Sequence, residues 1–405
     1  MDDACFQTPF RVRLHTGPTS GEGVYESEVE SMDAIVAIPA FDPNKRLVAL
    51  VDALHDRGFG KFIVVDDGSS TETQPVFAAL ENRGVRVVHH VRNLGKGSAI
   101  KTAIAQMRLA YPSADCLITV DADGQHLPDD VVQVRDAAEA NPDALVLGGR
   151  EFRSSGVPLR SRVGNGFSAV YFRMDTGVRC SDTQTGLRAI PARLLQLAMR
   201  TPGSRYEYEM NFLTAVAKRG VPLKMVPITV VYEDGNAGSH FSVLRDSARI
   251  YRQFIRFTGS SIACSAVDLA AFALLVAILG FETAPLIAIA TVVARMLSGA
   301  LNFEINRTWS FADSGSRQGD ASAQAIRYGV LFVGQMSASA ALVALLSFLP
   351  LPLVIVKALV DGSLFFVSHF IQRNWVFKRT APMQAKLLKG GAHAGAVSAR
   401  TYRAA

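Results

Sequence analysis

Within Val120–Pro128 two aspartates stand one residue apart, Asp121 and Asp123, followed by Gly124, Gln125 and His126. Paired carboxylates at this spacing suit a hard divalent cation, which takes oxygen ligands and keeps positions open for substrate phosphates. The run before them, Cys116–Val120, is apolar and β-branched and reads as a buried strand that ends at the acids. Gly124 lets the chain turn, and Pro128 with Asp129 and Asp130 opens a helix whose positive end suits acids. In an open α/β sheet, ligands gather at the carboxyl ends of the strands. On its own the aspartate pair reads more readily as a capped loop with solvated acids, so the rest of the chain must decide.

The same pattern recurs along the chain. Lys61–Val65 is strand-like and ends in Asp66 and Asp67, which could accept hydrogen bonds from ribose hydroxyls or base N–H groups, or simply cap the next helix. Asn93–Ser98, with Lys96 at its centre, has the composition of a phosphate cradle without the spacing of a full P-loop. Ala144–Leu147 runs into Gly148, Gly149 and Arg150, a fork for phosphate or carboxylate. With Ala34–Ile38, ending in Pro39, and Val85–Val88, these make five expected strands alternating with helical stretches. That alternation predicts an α/β fold with a mostly parallel sheet covered on both faces, its chemistry-bearing residues on one rim.

The chain has 405 residues, a formal net charge of +6 and four scattered cysteines without a C-x-x-C pair. A disulfide framework or a zinc site does not fit that usage. No nucleic-acid-binding signature accompanies the positive charge, which suits an anionic membrane surface or phosphorylated substrates better. The first residues carry no basic stretch followed by an apolar core, so no cleavable signal peptide is expected.

Taken together, Ile38–Phe41, Val65–Ser69, Asn93–Gly97, the D-A-D-G-Q-H block, Gly148–Arg150 and Ser181–Arg188 occur in one order that resembles family 2 glycosyltransferases. The closest likeness is to the branch of dolichol-phosphate mannose synthases and bacterial polyprenyl-phosphate glycosyltransferases, and it covers roughly 33–257. The resemblance implies a GT-A (Rossmann-like) domain that moves a hexose from a nucleotide-diphosphate sugar to a polyprenyl phosphate with inversion. It implies Mg²⁺ or Mn²⁺ on Asp121, Asp123 and Gln125, and a nucleotide-sugar pocket lined by Pro39, Asp42, Asp66, Asp67, Lys96, Asp121 and Arg150. Asp42 departs from the Glu or Asn–Glu of many relatives. Asp123, Asp182 and Arg150 are the expected catalytic residues. Gln184 lies in the block lining the sugar and acceptor side. Arg162 (or Arg160), Arg188, His240 and Arg245 are the expected contacts of the acceptor phosphate. A phosphate acceptor is already ionised at neutral pH, so no general base is strictly required and positioning matters more.

The second half is apolar. Arg245, Arg249, Arg252 and Arg256 recur at helical spacing beside Leu244, Ala248, Tyr251 and Ile255, which reads as a basic amphipathic helix in the membrane interface. Four apolar spans follow, at about 261–280, 285–306, 327–349 and 353–376, each long enough to cross a bilayer. The short turns lack Lys and Arg whereas the long turn and the tail carry them, so both termini and the catalytic domain are expected in the cytoplasm. An internal repeat pairs Asn302–Phe311 with Ser368–Phe377 through a shared Arg-x-Trp-x-Phe. This resembles the GtrA family of four-span proteins, which implies moving or anchoring polyprenyl-linked sugars. Asp268, Arg295, Lys357 and Asp361 fall within spans and are expected to face the bundle interior, as ion pairs or as a path for a lipid phosphate.

The expected organisation is therefore a flexible tail (1–32), a GT-A domain (33–240), an interfacial helix (241–257), an all-α four-span transmembrane domain (258–380) and a disordered basic tail (381–405). Two other activities are compatible. One is a lipid-linked-sugar translocase with a loading domain. The other is a processive polysaccharide synthase, since Gln253–Phe257 mimics its Q-x-x-R-W without the Trp. No motif speaks to oligomeric state, to the sugar or to the nucleotide base.

Overall fold

The computed structural model describes residues 32–150, 159–229, 243–279, 284–312, 316, 319–348 and 350–378. Most of both expected tails, and His240, lie outside the described residues, as do the side chains of Arg160 and Arg245.

Seven strands form one sheet: β1 (Ala34–Ala40), β2 (Phe62–Asp66), β3 (Arg86–His89), β4 (Cys116–Thr119), β5 (Leu145–Arg150), β6 (Arg188–Pro191) and β7 (Leu223–Ile228). Their order is β3-β2-β1-β4-β6-β5-β7. Every pairing is parallel except those of β6, which runs antiparallel to both β4 and β5. The sequence anticipates the first five strands. It misses β6, four residues that carry an arginine and a proline, and β7, whose apolar run is interrupted by Lys224 and Pro227.

Alternate residues of the central strands feed two cores, as the two-residue period of a strand requires. Ile35, Ala37, Ile63, Val65 and Leu117 pack under α3 (Lys96–Ala110), α5 (Leu159–Thr176), α6 (Leu195–Arg200) and α7 (Glu207–Ala217). Val36, Ile38, Val64 and Ile118 face α1 (Arg46–His55), α2 (Gln74–Glu81) and α4 (Pro128–Ala140). Pro128 is at the start of α4 with Asp129 and Asp130 in its first turn, as its sequence predicts. The register aligns Ala40 with Asp66 and Thr119 with Arg188, so the ends of β1, β2 and β4 share one rim with the start of β6.

Beyond the sheet domain the described residues are mainly helical: α8 (Val243–Ile250), α9 (Arg252–Leu279), α10 (Ala284–Ile305), α11 (Ala321–Leu346) and α12 (Leu353–Ile371). The expected single interfacial helix is instead divided at Tyr251, so that Arg252 and Arg256 belong to the first turns of α9. Among the described residues three segments are long and apolar enough to cross a membrane, Arg252–Ile278, Ala321–Leu346 and Ile355–Val376. Their large apolar side chains point outward, among them Leu269, Leu274, Val330 and Leu359, the reverse of a bundle built for water. Helix α10 lies against α9 in the same bundle.

The internal repeat is visible in the backbone. Each Arg-x-Trp-x-Phe segment forms a π-helical turn, Asn306–Ser310 after α10 and Gln372–Val376 after α12. The two turns meet, Asn306 Nδ2 donating to Gln372 Oε1 at 3.1 Å. Arg256 lies over the Trp309 ring at 5.6 Å, and Arg327 donates to the Trp375 carbonyl at 3.3 Å. The synthase-like Gln253–Phe257 segment lies in the first turns of α9.

The four intramembrane charges do not all point inward. Asp268 and Arg295 pair at 3.2 Å and line a cavity of about 200 Å³ between the helices. Lys357 and Asp361 pair at 2.8 Å along α12, with side chains 59% and 47% exposed, which corrects the expectation that they face the interior. The i,i+4 spacing puts both on one outer face, where each satisfies the other.

Candidate active site

At the end of β4, Asp121 and Asp123 emerge onto the rim. The Asp121 carboxylate meets the Lys96 ammonium at 2.7 Å and has His126 Nε2 at 3.5 Å. Burial alone would raise Asp121, but Lys96 and His126 outweigh it and hold the carboxyl far below the ordinary aspartate range. Lys96 also reaches Glu209 on α7 at 3.1 Å. Burial would discharge that lysine, yet the two acids keep it charged well above its usual value. Among the described residues Asp123 makes no close ion pair. It accepts the Gln125 backbone N–H at 3.0 Å, and burial together with the neighbouring Asp121 charge pushes its carboxyl up.

Lys96 is aimed by a tightly held loop. Asp67 accepts the backbone N–H groups of Leu94 at 2.9 Å and Gly95 at 2.7 Å. Gly95, at φ +99°, lies against Ser204 and Arg205, and Gly97 lies against the Tyr208 ring, so no side chain fits at either. The Ser98 N–H closes the loop onto the Ser204 carbonyl at 2.9 Å.

Asp66 is buried, accepting from Ser69 N–H at 2.8 Å and Gln74 Nε2 at 3.2 Å, with His89 Nδ1 at 2.8 Å. Burial would raise its carboxyl, but these hydrogen bonds outweigh it and keep it below the ordinary range. Asp42, at φ +46°, binds the β2 loop by accepting from the Ser70 N–H at 2.7 Å, while its own N–H donates to Ser69 Oγ at 2.9 Å. Asp42, Asp66 and Asp67 therefore hold the rim loops together, with Pro39 half-buried beside them in register with Val65.

Arg150 and Asp182 are brought together rather than left facing a ligand separately. The guanidinium grips the carboxylate with two hydrogen bonds, Nε at 2.7 Å and Nη2 at 3.1 Å. Asp182 is fully buried and also accepts the Gln184 N–H at 3.1 Å. Both of its oxygens are engaged, so in this structure Asp182 braces the Arg150 guanidinium. Arg188 is 2% exposed, and its guanidinium donates to the carbonyls of Thr185, Glu209 and Thr183, contacts that anchor the 182–188 loop. That loop presses Gly186 onto the Asp121 carboxylate, where a Cβ would clash. Arg162 is exposed on α5.

Sequence reasoning passed over Glu209, His126 and Gly186. The only available signal for Glu209 was an acid in the first turn of a helix, which ordinarily serves the helix dipole. His126 is 93% buried by side chain, and neither ring nitrogen has a hydrogen-bond partner among the described residues.

Among the described residues no group of three or more His, Cys, Asp and Glu side chains is assembled as a metal cage. Mg²⁺ does not ask for one, since it is usually bound by one or two carboxylates, waters and substrate phosphates. Asp121 and an uncompensated Asp123 fit that need, with Gln125 two residues on.

Two family models match the chain: Glycosyl transferase family 2 over residues 35–191, and the GtrA/DPMS transmembrane domain over residues 256–377. An uncharacterized protein of Methanocaldococcus jannaschii is 32% identical over 213 residues, 51% of this chain and 85% of that one. A UDP-N-acetylglucosamine–dolichyl-phosphate N-acetylglucosaminyltransferase of Methanococcus voltae is 30% identical over 237 residues, 53% of this chain and 92% of that one. The chain belongs to glycosyl transferase family 2. A polyprenol monophosphomannose synthase of Mycolicibacterium smegmatis is 27% identical over 205 residues, 48% of this chain and 76% of that one. This family 2 glycosyltransferase is a membrane protein with a GT-A-like sheet domain, and its D-x-D lies inside the stretch matched by the family model.

Proposed function

We propose that this glycosyltransferase moves a hexosyl group from a nucleoside-diphosphate sugar to a polyprenyl phosphate at the cytoplasmic face of the membrane, in one inverting displacement. An oxygen of the acceptor phosphate attacks the anomeric carbon as the bond to the donor diphosphate breaks, and the nucleoside diphosphate leaves with the electron pair. The observation that carries this reading is Asp123, a rim carboxylate without an ion-pair partner among the described residues, next to Asp121 at the end of β4.

Asp121, Asp123 and Gln125 would hold a divalent cation, which supplies charge stabilisation for the departing diphosphate. Lys96 adds positive charge on the same side. Pro39 and the loops held by Asp42, Asp66 and Asp67 would line the nucleoside. The Arg150–Asp182 pair braces the wall beside the sugar, and exposed Arg162, with Arg245 and His240, would meet the acceptor phosphate. The relatives' names support the acceptor class, and a membrane domain on the same chain would bring the site to the lipid that carries it. Four spans with both termini in the cytoplasm follow from the charge asymmetry of the turns.

Membranes containing the full chain, given labelled nucleotide sugars and undecaprenyl phosphate, should form a lipid-linked monosaccharide with one donor class, and Asp123→Ala should lower the rate at least about 100-fold. Wild-type membranes inert with every donor and prenyl phosphate, or forming polymer, would sink the reading.

A further inference from the structure

The metal-binding reading leaves Lys96 in an odd place. Its ammonium sits 2.7 Å from the carboxylate that a cation should occupy, held from behind by Glu209 at 3.1 Å. The Tyr206 ring lies 5.8 Å away on the same side. Lys96 is 15% and Glu209 7% exposed by side chain, so neither is a solvated surface charge. The loop that carries Lys96 is pinned by Asp67 on one flank and by the 204–208 segment on the other. Its backbone cannot retreat, so only the flexible side chain can move. Three carboxylates, Asp121, Asp123 and Glu209, face the single ammonium of Lys96, and the net charge of these four groups is one that a divalent cation would balance.

We propose that Lys96 is a built-in counter-ion serving two ligands in turn, neutralising Asp121 before the donor arrives and turning to the donor diphosphate once Asp121 is engaged by a divalent cation. Glu209 is the positioning residue that keeps the ammonium at the site in both states. The inference rests on the metal-dependent reading above. It makes cation and diphosphate binding cooperative, because releasing Lys96 from Asp121 costs a close ion pair that only the incoming phosphate oxygens replace. It also explains why a buried glutamate stands behind the site. Without it, the lysine would commit to Asp121 and compete harder with the cation.

Binding to the full chain in nanodiscs tests this without turnover, with Mn²⁺ alone and then inorganic pyrophosphate at saturating Mn²⁺ as probes. Lys96→Gln should bind Mn²⁺ about tenfold more tightly than wild type and pyrophosphate about tenfold more weakly. Glu209→Gln should weaken both. The pyrophosphate arm of Glu209→Gln is decisive, because removing a negative charge would strengthen anion binding if simple charge balance were at work. Tighter pyrophosphate binding by Glu209→Gln, or wild-type Mn²⁺ affinity in Lys96→Gln, overturns the proposal while leaving the metal site intact. Mn²⁺ binding absent from wild type and Lys96→Gln alike removes the metal reading and the proposal together. Lys96→Arg, which keeps the charge, should stay within about threefold of wild type for Mn²⁺, and a gain like that of Lys96→Gln would also count against the proposal.

Discussion

Asp121 and Asp123 are chemically identical and two residues apart, yet the fold drives them in opposite directions. Asp121 is neutralised by a buried lysine and its carboxyl is held down, whereas Asp123 is desolvated beside a like charge and its carboxyl is raised. A raised folded-state value stabilises the protein below the unfolded value, about 3.9 for aspartate, and that stability is lost as pH climbs through the folded value. The metal-free protein is therefore strained at neutral pH by its own Asp123. Asp123→Asn, which keeps an oxygen for the Gln125 N–H, should raise the metal-free thermal midpoint at pH 7 and leave it unchanged at pH 3. Added Mn²⁺ should stabilise wild type and not the variant. Thermal unfolding across pH with and without Mn²⁺ reads both effects, and a variant less stable than wild type at neutral pH would contradict them.

At the scale of elements, the two Arg-x-Trp-x-Phe turns show how a repeat is used twice and differently. Arg307 turns inward to Gln324 on α11, whereas its counterpart Arg373 leaves the bundle for Tyr171 and Asp175 on α5. What the turns share is the contact between Asn306 and Gln372. Asn306 is fully buried, also accepts from Ser260 Oγ at 2.7 Å, and donates to Asn302. Inside a membrane bundle the alternative to such bonds is an unsatisfied amide. Asn306→Ala should cost about 1–3 kcal/mol, and a double-mutant cycle with Gln372→Ala should return a coupling of roughly 0.6–1.7 kcal/mol. Reversible unfolding in detergent measures both, and zero coupling would mean the turns merely adjoin.

At the scale of the whole molecule, one buried carboxylate joins the two halves. Asp175 on α5 pairs with Lys218 at 2.7 Å and with Arg373 at 3.2 Å, and Lys218 also donates to Asn374 at 3.2 Å. Around it, Tyr171 packs edge-on against Tyr251, Phe254 and Phe370. Asp175→Ala strands two cations and should cost about 3 kcal/mol, the low end for a broken buried pair because both partners are partly exposed. Turnover with polyprenyl phosphate should fall about tenfold or more as the docking loosens, with nucleotide affinity unchanged, and proteolysis near 243–251 should quicken. Unaltered turnover and proteolysis would mean that the halves are held by the aromatic packing alone.

Much was legible in the sequence because it is written in local patterns. Apolar β-branched runs that end in acids or proline predict β1, β2, β4 and the rim they share, and long apolar runs mark the membrane half, since a bilayer leaves a backbone little choice but helix. The Arg-x-Trp-x-Phe repeat is visible as spacing, and the D-x-D as a carboxylate pair. Contacts across the sheet were not legible. Nothing in the local sequence of Arg188 distinguishes a phosphate ligand from a buried brace, because that depends on three carbonyls delivered by other segments. Asp182 reads as a free acid until β5 brings Arg150 to it. Glu209, 113 positions beyond Lys96, meets it only because α7 packs beside α3 over the same core. The sequence alone determined which groups could bind a cation and that a membrane lies next to them, since residue type and hydropathy are local properties. Only the tertiary structure decided which carboxylate is already paired and which still lacks a cation, because that is set by the charges folding brings within a few ångströms.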